Sequence, residues 1–133
     1  MNTGHNCYVT LHASSGRNAA TRIVQLAGDG YNDEAIAAQL ADTVDLIIFQ
    51  QKIRKSRVIT EVLELVGYEG AKHPICNPLF EFRQTGVGTD GFVEGYHCRV
   101  GRISDELAGK MRVNMVSMER IAKWLVLPAP EGG

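Results

Sequence analysis

The chain has 133 residues, 44% of them hydrophobic and 22% charged, with a formal net charge of −1. That is one domain's length, enough to bury a core, and the balanced charge gives no general pull toward nucleic acid or an anionic membrane. No apolar run approaches the roughly 18 residues a membrane span needs. The first residues show neither the basic nor the apolar region of a secretion signal. Cys7, Cys76 and Cys98 form no C-x-x-C pair, so neither a disulfide framework nor a zinc ribbon is expected, and the simplest reading is a reduced, cytosolic chain.

In chain order, residues 7–11 are β-branched and aromatic and read as a buried strand. Ser14 or Ser15 then caps a helix over 16–27, whose Ala19, Ala20, Ile23, Val24 and Ala27 recur at spacings of three and four. Gly28-Asp29-Gly30 stops it, and Asn32 caps a second helix over 33–43 with Ile36, Leu40 and Val44 as its stripe. Residues 45–50 read as a strand buried on both faces. A basic turn over 52–57 joins it to a strand over 58–66, giving a hairpin. Residues 67–70 and 74–78 read as turn and loop, because Gly and Pro punctuate them. A second hairpin is expected from 79–82 and 92–96 around a Gly-rich turn. The tail is helical, with one segment beginning at Ser104-Asp105-Glu106 and another over 116–127 that Pro128 ends. The whole is an α/β pattern with few central strands.

Two histidines are the first chemical candidates. His5 precedes the first strand and His12 lies at its carboxyl end, where open α/β sheets bind ligands. With Thr10 beside it, His12 is placed to hydrogen-bond a phosphate oxygen. A structural histidine satisfied by backbone is the alternative, and both readings stand at this point. His5, Cys7 and His12 lack the paired spacing of a zinc site, so no metal is expected. His73 and His97 have no evident partner and read as surface residues. Cys76 has no adjacent base to make it a nucleophile. Lys52, Arg54, Lys55 and Arg57 form the one dense basic cluster: a solvated turn, or a contact with phosphate, with an acidic subunit or with nucleic acid. No aromatic residues interleave to stack bases, which counts against nucleic acid. There is no G-x-x-x-x-G-K-[ST] anywhere in the sequence. The glycines at 86, 88 and 91 match G-x-G-x-x-G but precede a strand, so that match carries nothing.

Thr3-Gly4-His5 followed by Thr10-Leu11-His12-Ala13-Ser14 resembles the histidine box of the type II/IV secretion-system ATPases, hexameric motors of pilus assembly, secretion and conjugation. Arg22-Ile23, then residues 35–40 leading to Asp45-Leu46-Ile47, are similar to the helix and Asp-Leu-Ile segment that follow the box. Residues 57–62 with Val66-Gly67-Tyr68-Glu69-Gly70 resemble the family's hairpin, and Leu79-Phe80-Glu81-Phe82 with Gly95 looks like the tight-adherence pilus and conjugal-transfer branch. Cys7 and Tyr8 depart from the small residues common there.

The resemblance implies part of a RecA-like P-loop core over 1–100, a helical tail over 101–127 and a disordered end over 128–133. It implies ATP and Mg2+ in the intact family, a hexamer, secretion-system inner-membrane partners, and a cytoplasmic chain peripheral to the inner face of the cell membrane. His5, Thr10 and His12 would sense the γ-phosphate, with Gly4, Arg22 and Asp45 in support. The phosphate loop and magnesium carboxylates would precede residue 1, leaving the strand over 7–11 with two bare edges. A catalytically incomplete C-terminal portion of such an ATPase is therefore expected, one that alone neither binds ATP tightly nor hydrolyses it. The alternatives are a stand-alone interaction module docking on a secretion motor or its membrane partner, and a small metal-binding protein using His5, Cys7 and His12.

Overall fold

A computed structural model describes residues 8–28 and 32–129. Its elements are α1 (Gly16–Ala27), α2 (Asp33–Thr43), β1 (Leu46–Ile53), β2 (Ser56–Glu69), β3 (His73–Val87), β4 (Val93–Arg99), α3 (Asp105–Val113) and α4 (Met118–Leu125). The four strands form one antiparallel sheet in the order β1-β2-β3-β4, so the chain is a mixed α/β protein.

Helix α1 starts where Ser15 places its side chain to accept from the Asn18 amide at 3.0 Å. Its buried residues, Gly16, Ala20 and Val24, repeat every four positions and make one stripe. Gly16 is small for a reason: a Cβ there would lie 2.8 Å from Leu63 Cδ1. Leu63 thus faces α1. The next residue, Glu64, accepts from the Ser104 backbone N–H at 2.9 Å. Successive strand residues point to opposite faces, so α1 and α3 sit on opposite sides of the sheet. Each face has its own core: Val24, Ala37 and Leu40 on one side, and Leu79, Ile103, Ala108 and Ile121 on the other.

Several expectations are corrected. Residues 8–11 are not a strand; they run irregularly, and Tyr8 is 96% exposed. A strand there needs a ladder partner, and the described residues offer none. β1 is not buried on both faces: it is an outer strand with β2 on one side, and Leu46 and Ile48 are exposed. Residues 67–69 and 74–78, expected as turn and loop, belong to β2 and β3. Over 73–78 β3 pairs with β2 alone, and Pro78 stands beside a register shift, the positions at which a sheet tolerates proline. The last helix is shorter than expected, because Val116 turns into the core and Ser117 is the cap of α4.

The two hairpin tips touch. β2–β3 pairing ends at Glu61 and Glu81, leaving the first residues of β2 without β3 beside them. β4 supplies what is missing: Ser56 Oγ accepts from the Val93 amide at 2.9 Å. His97 Nε2 meets the Ile59 carbonyl at 2.8 Å, and since a carbonyl only accepts, Nε2 carries the proton. His97 therefore has the partner its sequence context did not suggest, and its ring lies 5.3 Å from that of Phe82.

Candidate functional site

A cleft of about 400 Å3 opens between residues 9–13, α1 and the outer strand β1. The cap at Ser15 fixes where the chain enters α1, and so places His12 three residues ahead of it. Ala19, Ala20 and Ile23 wall the cleft from α1, and Ile47 and Phe49 from β1. Against these apolar walls stand Thr10, His12, Gln50 and Arg57.

The polar groups suit an anion. The guanidinium of Arg57 is a permanent cation with donors only, in a fork matched to phosphate or carboxylate oxygens. The Thr10 hydroxyl and the His12 ring add adjustable donors. All three side chains are solvent-exposed. Water therefore screens their attraction, and the site fits a weakly held ion better than a sequestered one.

Of the residues singled out from sequence, Thr10 and His12 share the cleft, while Gly4 and His5 lie outside the described residues. Arg22 is exposed on α1 and does not line the cleft. Asp45 joins α2 to β1: its Oδ1 pairs with Lys110 Nζ at 2.8 Å, and its carbonyl accepts from the Leu65 amide at 3.1 Å. Lys52 and Arg54 are exposed at the hairpin tip, whereas Lys55 Nζ donates to the Asp90 carbonyl at 3.2 Å.

Arg57 was read from sequence as part of a basic turn, and only the folded hairpin brings it to the cleft. Glu64 was missed altogether. It is 4% exposed and accepts from Asn77 Nδ2 at 3.3 Å, from the Ser104 amide and from Ser104 Oγ. The signal was available: a single acid inside the apolar run Val62-Leu63-Glu64-Leu65 is a buried charge in need of partners. Burial pushes the Cys76 thiol up, Glu61 adds to the rise, and Arg17 opposes it.

A family model for the type II/IV secretion system protein family matches residues 1–99. The chain belongs to that family. No curated protein matches it. The family match takes in the whole lining of the cleft and stops before α3 and α4.

In this secretion-family chain Thr10, His12, Gln50 and Arg57 supply the polar lining of the cleft. The sequence contains no glycine-rich loop with its lysine and hydroxyl to cradle a nucleotide's phosphates. Among the described residues no group of three or more His, Cys, Asp or Glu side chains is arranged to hold a metal ion. The cleft therefore offers donors to phosphate oxygens, and its lining among the described residues holds no carboxylate of the kind that binds Mg2+.

Proposed function

We propose that this chain is the C-terminal part of a secretion, pilus-assembly or conjugal-transfer ATPase and contributes the edge of the nucleotide site that meets the terminal phosphate. The observation that carries the reading is the convergence of Thr10, His12 and Arg57 on one cleft in a chain of the type II/IV family. A RecA-like core, a hexameric ring, inner-membrane partners and a cytoplasmic place at the inner face of the membrane all belong to this reading. So do the roles that the histidine-box resemblance implies for His5 and Gly4, and Arg22 and Asp45 as supports.

In that role Arg57 neutralises phosphate charge, while Thr10 and His12 donate to its oxygens and make occupancy felt at the start of α1. ATP, where bound, supplies the phosphoanhydride bond. The chain's own residues contact and orient the phosphate but activate no water. Hydrolysis then requires a phosphate loop and magnesium carboxylates carried on other sequence, and the chain alone is inactive.

The test is a titration with inorganic phosphate, followed by nuclear magnetic resonance at constant ionic strength. The expected result is weak binding, with shifts confined to Thr10, His12, Arg57 and their neighbours, and about tenfold weaker binding in Arg57→Ala. Shifts elsewhere, or equal shifts with chloride, would sink the reading.

A second reading, an interaction module, rests on one observation. Lys52 and Arg57 stand directly opposite each other across β1 and β2, with Arg54 exposed at the tip between them. Like charges so placed repel, and an acidic partner surface would relieve them. Direct contact with nucleic acid is not part of either reading.

A further inference from the structure

The two edges of the sheet are built differently. The β4 edge is short, carries Glu94 and Arg99, and gives its Val93 amide to Ser56 Oγ. The β1 edge has no such cover. Asp45 turns its carbonyl toward β2, where it accepts from the Leu65 amide. Along an antiparallel ladder the backbone groups of successive residues point alternately to one side and the other. Those of Leu46, Ile48 and Gln50 therefore point away from β2, and among the described residues no backbone bond fills that outer row.

Edge strands ordinarily carry a charge, a proline or a bulge that keeps other strands away. In β1 the one charge, Lys52, lies beside the turn, and there is no proline. The bulge of the β1–β2 pair puts its extra residue, Thr60, in β2. Leu46 and Ile48 are 45% and 60% exposed, on the face that carries Glu64. The ends of this edge are opposite in charge. Asp42 and Asp45 stand at its start, where Lys110 pairs with Asp45 and leaves Asp42 exposed; Lys52 and Arg54 stand exposed at its finish.

From this pattern we infer that β1 pairs antiparallel with β1 of a second copy, joining two four-stranded sheets edge to edge about a two-fold axis. Only residues with outward backbone groups can face one another as hydrogen-bonded pairs, which restricts the register to a few choices. With Ile48 opposite Ile48 of the second copy, Leu46 and Gln50 face each other, and every outward residue is used. Ile47 then meets Phe49 on the other face of the sheet, so apolar residues match on both faces. A shift by two residues sets Leu46 against Lys52 in one direction and Phe49 against Asp45 in the other. The favoured register also brings Lys52 of each copy level with Val44 of the other, between Asp42 and Asp45. Each copy thereby supplies the acidic surface that Lys52 lacks. The pairing uses none of Thr10, His12 and Arg57 and stands apart from the phosphate reading.

The test is sedimentation of the whole chain over a range of concentrations, with amide exchange followed by nuclear magnetic resonance on the same samples. A monomer–dimer equilibrium is expected. At high concentration the Leu46, Ile48 and Gln50 amides should be protected, and on dilution they should exchange freely. Ile48→Lys sets two like charges opposite each other and should weaken the dimer about tenfold. Ile48 belongs to neither core and is exposed in the single chain, so the urea midpoint of the diluted variant should match that of the wild type. A chain that stays monomeric at millimolar concentration, a dimer indifferent to Ile48→Lys, or outward amides that exchange freely in the dimer would overturn the proposal. The free edge would then be left to a strand from a different polypeptide.

Discussion

Tyr68 illustrates how one side chain joins the layers. Its hydroxyl donates to the Ala20 carbonyl at 2.8 Å, tying β2 to α1 beside Val24 and Leu40. Burial, with a smaller contribution from Cys76, pushes its phenol from 10.0 up to about 12. Below pH 10 folded and unfolded chains both keep the proton, and the stabilisation is intact. Between pH 10 and about 12 the unfolded chain has lost it while the folded chain retains it, so stability falls as pH rises. Tyr68→Phe should cost about 1 kcal/mol at neutral pH through the lost hydrogen bond. It should also flatten the decline above pH 10, and urea unfolding across that range reads both effects. A decline of equal slope in the variant would assign it to some other group.

At the scale of elements, Glu64 is the joint between the sheet and the C-terminal helices. Its carboxylate takes both donors of Ser104, whose oxygen in turn accepts from the Leu107 amide at 3.1 Å as the cap of α3. A buried carboxylate is costly unless its acceptor sites are filled, and here Asn77 helps to fill them. Glu64→Ala strands these donors and should destabilise the chain by about 2–4 kcal/mol in urea unfolding. By contrast, the Asp45–Lys110 pair is about half exposed on both sides, so Asp45→Asn should cost less than about 1 kcal/mol. The helices were legible in the sequence because their caps are local: Ser15 and Ser104 each accept from an amide three residues on. The outer halves of β2 and β3 were not. Gly67, Pro74 and Pro78 read as punctuation, and only the pairing of β3 with β2 alone at those positions makes them admissible strand residues. Gly95 carries a similar long-range reason. A Cβ there would collide with the Arg83 carbonyl and lie 2.5 Å from Phe82 Cζ, which no local pattern announces.

For the whole molecule, the division of the surface follows the family boundary. The cleft with Thr10, His12 and Arg57 lies inside residues 1–99, and α3 and α4 lie beyond them. Thr10 and His12 were legible as candidates because they are neighbours in sequence. Arg57, forty-five residues after His12, reaches the cleft only through the hairpin register, so composition filed it with Lys52, Arg54 and Lys55. The sequence carries no G-x-x-x-x-G-K-[ST] loop, and the proposed function therefore limits this chain to phosphate contact. That claim is tested most directly by assaying ATP hydrolysis with the purified chain and with His12→Ala. The account predicts that neither turns over ATP beyond the buffer blank. Turnover by the wild-type chain that His12→Ala abolishes would contradict it, because a contaminating enzyme would not respond to that substitution.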